Sequence, residues 1–488
     1  MPFLPELALV TWLLFILFFS LLLLYGIWPF WTFKKLSIPG PRPLPFLGMF
    51  LECRHGVTDF DQKCFCFEKY GKIWGIFDDR QPVLVILDPV LIETILVKEC
   101  CALFANHWNF HLDGSLESAV SISEDEQWRR IHSVLSPAFS SEKLKEFGAC
   151  SIDVVASTSF SVNIDSVNNP SDPFVTNIKK FLKISFLHPL VLVIVLFPFP
   201  IPGLERRNLT LLPPEVMNFF NTFAKMKKGL QKGSYKSRVD FLQLMVDSQS
   251  SDGNSDPANE NNSYKTLSDE EILAQALISV FAAYETTSST LTGLLPPPSF
   301  HILYNLATYP DVQQQLQDEI DANLCNKATP ASNALVQMED LDMVVSKTLR
   351  LFPSGGQMER VCKETMEING VSIPKDVVVV IPAYVMHHDP AHWPQPEELR
   401  PERCPSWGNS HAFNLENKES IDPYTYLPFG AGPRNCVGMR FALLTLKVAV
   451  VVLVQDFSFQ PCRDTRIPLP LDTQVFMQPK KPIILRLC

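Results

Sequence analysis

The sequence predicts a mainly α-helical protein with a small β-rich part, and three observations lead there. Long stretches carry apolar residues at helical spacing, Val- and Ile-rich runs are few and short, and 40 prolines among 488 residues imply many breaks between helices. The length suits two or three ordinary domains or one large one. With 46% hydrophobic residues and 35 Phe, the chain can bury a large core around a bulky bound group.

Residues Leu7 to Phe33 carry no charged side chain, enough for a helix to cross a hydrocarbon core of about 30 Å. Trp28 and Trp31 suit a membrane interface, and Lys34-Lys35 follow as positive-inside charges. A cleaved signal peptide would place its basic residues before the apolar run and small residues after it; here the order is reversed, which favours a retained anchor over residues 1–33. Residues 34–48, with Pro39-Gly40-Pro41-Arg42-Pro43-Leu44-Pro45, read as a stiff linker. Residues 49–488 form the remaining domain.

Within that domain, Ile73–Phe77 and Val83–Leu87 are expected strands, and Leu91–Val97 and Asp125–Leu135 expected helices. Residues 180–230 are apolar and Pro-rich, and Ser248–Ser263 is a polar loop. Ser268-Asp269-Glu270-Glu271 caps a helix from Ile272 to about Leu291. Pro310-Asp311 opens another helix, and Met338–Arg350 is a shorter one. Asn369-Gly370 marks a hairpin turn, Val377–Ile381 a buried strand, and Met439 to about Val454 a helix.

A net charge of −10 without a basic stripe argues against nucleic acid as a partner. The twelve cysteines are scattered with no C-x-x-C pair, so most read as reduced buried thiols. Cys436 differs. It lies in Phe429-Gly430-Ala431-Gly432-Pro433-Arg434-Asn435-Cys436-Val437-Gly438. Gly432 and Gly438 let backbone approach a flat ligand. A cysteine just before a helix N-terminus is favoured as thiolate, and Arg434 two residues earlier suits a carboxylate.

This segment resembles the haem-binding loop of cytochrome P-450, F-x-x-G-x-R-x-C-x-G, at every specified position. The resemblance runs from the anchor to Pro482 and is nearest to family three, subfamily A. It is carried also by Ile38-Pro39-Gly40-Pro41, Leu135-Ser136-Pro137-Ala138-Phe139, Ala307-Thr308-Tyr309-Pro310-Asp311-Val312-Gln313-Gln314 and Gly438-Met439-Arg440-Phe441-Ala442-Leu443. It implies the cytochrome P-450 fold, haem ligated by Cys436, and electrons that originate in NADPH and arrive through an NADPH-cytochrome reductase. It also implies small apolar substrates and an endoplasmic reticulum membrane location with the catalytic domain in the cytosol. Phe281-Ala282-Ala283-Tyr284-Glu285-Thr286-Thr287 is similar to the family's A-G-x-[DE]-T, which makes Glu285 and Thr286 the proton-delivering pair; Ala283 stands where the family usually has Gly.

Other segments depart from the family pattern. Lys347-Thr348-Leu349-Arg350 occupies the E-x-x-R position, so Lys347 replaces the glutamate expected to pair with Arg350 and Arg403. Trp128 matches the W-x-x-x-R tryptophan, but His132 replaces its arginine, and His107-Trp108 replace basic residues at the haem edge. Arg360 and Arg434 remain as propionate partners, with His132 a weaker third. About thirty residues expected between Phe147 and Gly148 are missing, Pro296-Pro297-Pro298 interrupts the continuing oxygen helix, and Ser406–Asn414 looks inserted. Two readings therefore stand: an active haem-thiolate monooxygenase, or a non-catalytic membrane-anchored relic with weak haem retention. A haem-thiolate isomerase fits Glu285-Thr286 less well.

Overall fold

The structure is a computed structural model that describes residues 9–49, 59–109, 114–139, 267–291, 301–324, 332–400, 422–472 and 477–488, with isolated residues elsewhere. Arg403, Glu402, Pro296-Pro298, the 147–148 junction and nearly all of 180–230 lie outside this set, as do the side chains of Glu285 and Thr286.

The apolar N-terminal run forms α1 (Leu9–Ile27), a 3₁₀ turn (Trp28–Phe30) and α2 (Trp31–Lys35). The stretch Thr11–Lys35 is long and apolar enough to cross a membrane, and 6% of its most apolar window is buried. Its far end does not stay apart from the domain: Phe33 is 4% exposed and belongs to the core around the sheet, with Phe30 packed against it. The segment expected to act as an anchor alone thus contributes side chains to the interior.

After α3 (Asp59–Tyr70), strands β1 (Ile73–Asp78) and β2 (Gln81–Ile86) pair antiparallel. Asp88 then accepts from Val90 N and Leu91 N and starts α4 (Pro89–Glu93). The helix expected at Leu91–Val97 therefore begins two residues earlier, at the proline, and its second half, Thr94–Lys98, winds as a π-helical turn. α5 (Cys100–Leu103) and α6 (Asp125–Leu135) follow.

α7 (Asp269–Leu291) opens with the expected capping box: Glu271 N–H donates to Ser268 Oγ (3.2 Å) and Ser268 N–H to Glu271 Oε2 (2.8 Å). Arg130 ties α6 to this helix end, donating to Glu271 Oε2 at 3.0 Å. α8 (His301–Thr308), α9 (Pro310–Asn323), α10 (Ser332–Gln337) and α11 (Glu339–Leu351) come next.

The sheet is completed by β3 (Met358–Val361) and β6 (Val378–Ile381), giving the order β1-β2-β6-β3 with β2 and β6 parallel. Between them, β4 (Met366–Ile368) and β5 (Val371–Ile373) form a hairpin in which Asn369 and Gly370 both take positive φ, 51° and 80°, as its tight turn requires. α12 (Ala383–His387) leads out of the sheet, and α13 (Met439–Asp456) is the last long helix.

Two cores result. One joins β1, β2 and β6 to α4 and the π-helical turn; the other packs α8, α9, α11 and α13. A buried ion pair, Lys447 with Asp342, links α13 to α11.

Candidate functional site: the cysteine loop and its arginines

The loop 429–438 is closed on itself before it enters α13. Cys436 N–H donates to Phe429 O (2.9 Å) and Asn435 N–H to Gly432 O (3.2 Å). Gly430 and Gly432 take φ of 74° and 75°, and a Cβ on Gly432 would overlap the carbonyl of Leu96 in the π-helical turn. That contact is why this position admits only glycine. Gly438 is the N-cap of α13, so the cysteine sits two residues before the cap, as the sequence suggests. Phe429 packs against the helical core.

Cys436 is exposed, yet protein surrounds it closely enough for burial to push its thiol pKa up, with the Gly438 N–H pulling the other way. Burial here outweighs the helix N-terminus expected to favour thiolate; a coordinating metal ion, which deprotonates a thiol outright, reverses that balance.

Arg434 is 8% exposed. Its guanidinium donates to the carbonyls of Ala105, Ser121 (3.4 Å) and Ser123 (2.8 Å) and lies 4.9 Å over the ring of Trp128. Arg360, on β3, donates to Arg434 O (3.2 Å) and Glu359 O (2.6 Å). Burial, then mutual repulsion with Arg360, pushes the Arg434 pKa down to about 10. His107 is held well below its usual pKa by burial and by both arginines. His132, its ring tilted against Trp128 at 5.3 Å and within 3.3 Å of Ser136 Oγ, has its pKa lowered by burial and by Arg434. The sequence reading of His132 as a weaker third propionate partner thus meets an imidazole whose protonation is disfavoured.

This constellation fits a haem. Two buried guanidiniums press on each other, and the Nε of each is buried without a partner, a positive site suited to propionates. The glycine loop holds one exposed sulfur just before α13, suited to iron.

Beneath the loop, Lys347 and Arg350 are 2% and 0% exposed on α11. Arg350 donates to His387 O (2.5 Å) and to Pro396 O, and Trp393 lies near both cations, 5.7 Å from Lys347 Nζ and 5.3 Å from the Arg350 guanidinium carbon. His387, unnoticed in the sequence, joins three segments. Its Nδ1 lies 3.1 Å from Arg350 O, and its Nε2 accepts from Leu427 N (2.8 Å). Tyr426 Oη donates to Ser346 O (2.8 Å) beside it. No motif singles out His387 or Trp393, because their partners lie 37–46 residues away.

A mainly helical fold with a side sheet and one cysteine on a glycine loop before a long helix defines a haem-thiolate protein. The cytochrome P-450 family model matches residues 38–149 and 144–487; the chain belongs to that family and is a cytochrome P-450 monooxygenase, with haem as its cofactor. It is 49% identical to cytochrome P-450 3A9 of Rattus norvegicus, over all of this chain and 98% of that protein. It is 50% identical to cytochrome P-450 3A5 of Homo sapiens, with the same coverage, and to cytochrome P-450 3A40 of Oryzias latipes, over 98% of this chain and 96% of that one. The first alignment runs over 518 positions for 488 residues, and the family match breaks at 144–149, where the sequence reading puts the missing segment.

Proposed function

We propose that this chain inserts one oxygen atom from dioxygen into small apolar substrates of drug, steroid or lipid type. Its electrons come from NADPH through an NADPH-cytochrome reductase, and it works from the endoplasmic reticulum membrane with its catalytic domain in the cytosol. The observation that carries this reading is the Cys436 loop, with an exposed thiol and two buried arginines beside it. Cys436 is the iron ligand. Arg434 and Arg360 hold the propionates, and Trp128 supports Arg434 from its ring face. His132 offers at most one neutral N–H, and Phe429, Gly432 and Gly438 shape the loop. When bound, thiolate-ligated haem supplies dioxygen activation, because the thiolate pushes electron density toward iron and favours O–O cleavage. Glu285 and Thr286, both on the backbone of α7, would supply a carboxylate and a hydroxyl able to relay protons at that site. Membership of the cytochrome P-450 family supports apolar substrates in general.

Lys347 favours a second reading, a chain that keeps the fold and holds haem weakly, since a buried cation stands one turn before a buried Arg350. The carbon monoxide difference spectrum of the reduced, purified full-length protein separates the two. A thiolate-type band that Cys436→Ala abolishes supports the monooxygenase. If Cys404→Ala abolishes it instead, the ligand is misassigned, and a parent protein with no band supports weak retention.

A further inference from the structure

The membrane helix of this chain is built into the sheet at two separate points. At the first, the Phe33 ring lies 5.2 Å from Phe77 of β1, and Phe30 meets Phe77 edge-on at 4.9 Å. Gly75 makes the room: a Cβ there would overlap the Phe33 ring. The chain leaving α2 stays on the same strand, with Gly75 N–H donating to Pro39 O (2.8 Å) and Gly40 lying against the Gly75 carbonyl. At the second point, eight residues earlier, Arg80 follows the β1–β2 turn and reaches back to α1. Its Nε–H donates to Tyr25 O (2.9 Å), and its guanidinium lies 3.5 Å over the Tyr25 ring. Phe46 N–H closes the same corner on Gly26 O (3.4 Å).

One contact point leaves a helix free to swing; two points, on different turns of the N-terminal segment, one on β1 and one just past its C-terminal end, remove that freedom. We infer that residues 25–33 and Arg80 form a rigid knuckle that fixes the angle between the membrane helix and the sheet, so that the domain meets a phospholipid bilayer by one face. This rests on the anchor reading above. The face is marked by large apolar side chains left outside, Trp28, Trp31 and Leu44 at 67%, 55% and 44% exposed, with exposed Lys34, Lys35 and Arg42 beside them. Indole rings ringed by cations suit the boundary between acyl chains and headgroups. A free tether of polar linker residues would need neither the buried Phe33 nor the Arg80 clamp.

The test uses the full chain in phosphatidylcholine–phosphatidylserine vesicles, with spin labels introduced as unnatural amino acids at exposed Ser20 and Glu364. The distance distribution between the labels is expected to be narrow and single. Phe33→Ala and Arg80→Ala should each widen it at least twofold. Arg80 is only half-buried, so its variant keeps the fold, checked by circular dichroism, even if Phe33→Ala does not. A distribution that is broad in the parent, or unchanged in the folded Arg80→Ala protein, overturns the fixed angle. Failure of the parent to float with the vesicles overturns the anchor, and the bilayer face with it.

Discussion

Lys347 stands three residues before Arg350 on α11, on the same helix face, and both are buried. The Trp393 ring between them offers each cation a π face, which is worth about 0.5–2 kcal/mol. An ion pair at such a position is worth more when broken than when made, because loss of one partner strands the other at about 3–5 kcal/mol. Lys347→Glu is expected to raise haem content and to lift the thermal midpoint by several degrees, the scale of about 2–4 kcal/mol in a large domain. Lys347→Gln should recover part of that gain, since it removes repulsion without adding a carboxylate. Equal haem content and melting in all three proteins would place the defect in the missing segment after Phe147. Three histidines in this half of the molecule, His301, His387 and His388, are held neutral by burial, with pKa values pushed down to about 3, 3 and 4. Their unfolded forms bind a proton below about 6.5 while the folded forms do not. Stability is therefore complete above 6.5 and is lost as pH falls from there toward 3–4, at about 1.4 kcal/mol per pH unit for each histidine. His301 stacks flat on Phe352 at 4.5 Å with its Nε2 unpartnered, so His301→Phe keeps the stack and removes the titration. Melting between pH 7.5 and 5 should show a shallower slope in that variant, and an identical slope would refute the assignment.

At the scale of elements, the cysteine loop and the π-helical turn Thr94–Lys98 are one unit. The loop can lie flat only because Gly432 has no Cβ against the Leu96 carbonyl and adopts positive φ. Gly432→Ala combines a strained backbone with a steric overlap, and should lose most bound haem and lower the melting temperature. Gly355→Ala is the matched control, because its nearest neighbour is Gln357 O at 4.0 Å. Haem retention in Gly432→Ala equal to that in Gly355→Ala would show that the packed turn does not shape the site. His387 does comparable work between α11, α12 and the chain before the loop. Its single tautomer, donor to Arg350 O and acceptor from Leu427 N, fits only the neutral ring, which agrees with its depressed pKa.

Across the whole molecule, the N-terminal segment joins an apolar helix long enough to cross a membrane to side chains of the sheet core. A chain beginning at Ile27 keeps Phe30 and Phe33 in the sheet core, whereas one beginning at Ser37 loses both. Removal of a buried Phe costs about 3–5 kcal/mol. The second truncation should therefore melt several degrees below the first, although both lack nearly all of α1; equal melting would mean that Phe33 adds nothing to the core.

The sequence by itself determined the helices and turns whose causes are local. Ser268 and Glu271 cap each other across three residues, Asn369-Gly370 supply adjacent positive φ angles, and Gly438 opens α13. It also marked Cys436 with its glycines and Arg434, because those residue types at fixed spacing lie within ten positions. Glu285 and Thr286 rest on a short motif on one helix, and their side chains lie outside the described residues. Only the tertiary structure decided where the arginines spend their donors, that His132 and His107 are neutral beside them, and that His387 and Trp393 brace Arg350. It alone put Phe33 under β1 and Tyr25 under Arg80. The physical reason is range: a cap or a turn is satisfied by hydrogen bonds between near neighbours in the chain, whereas burial, and the pKa and pairing that follow from it, depend on which distant segments pack together.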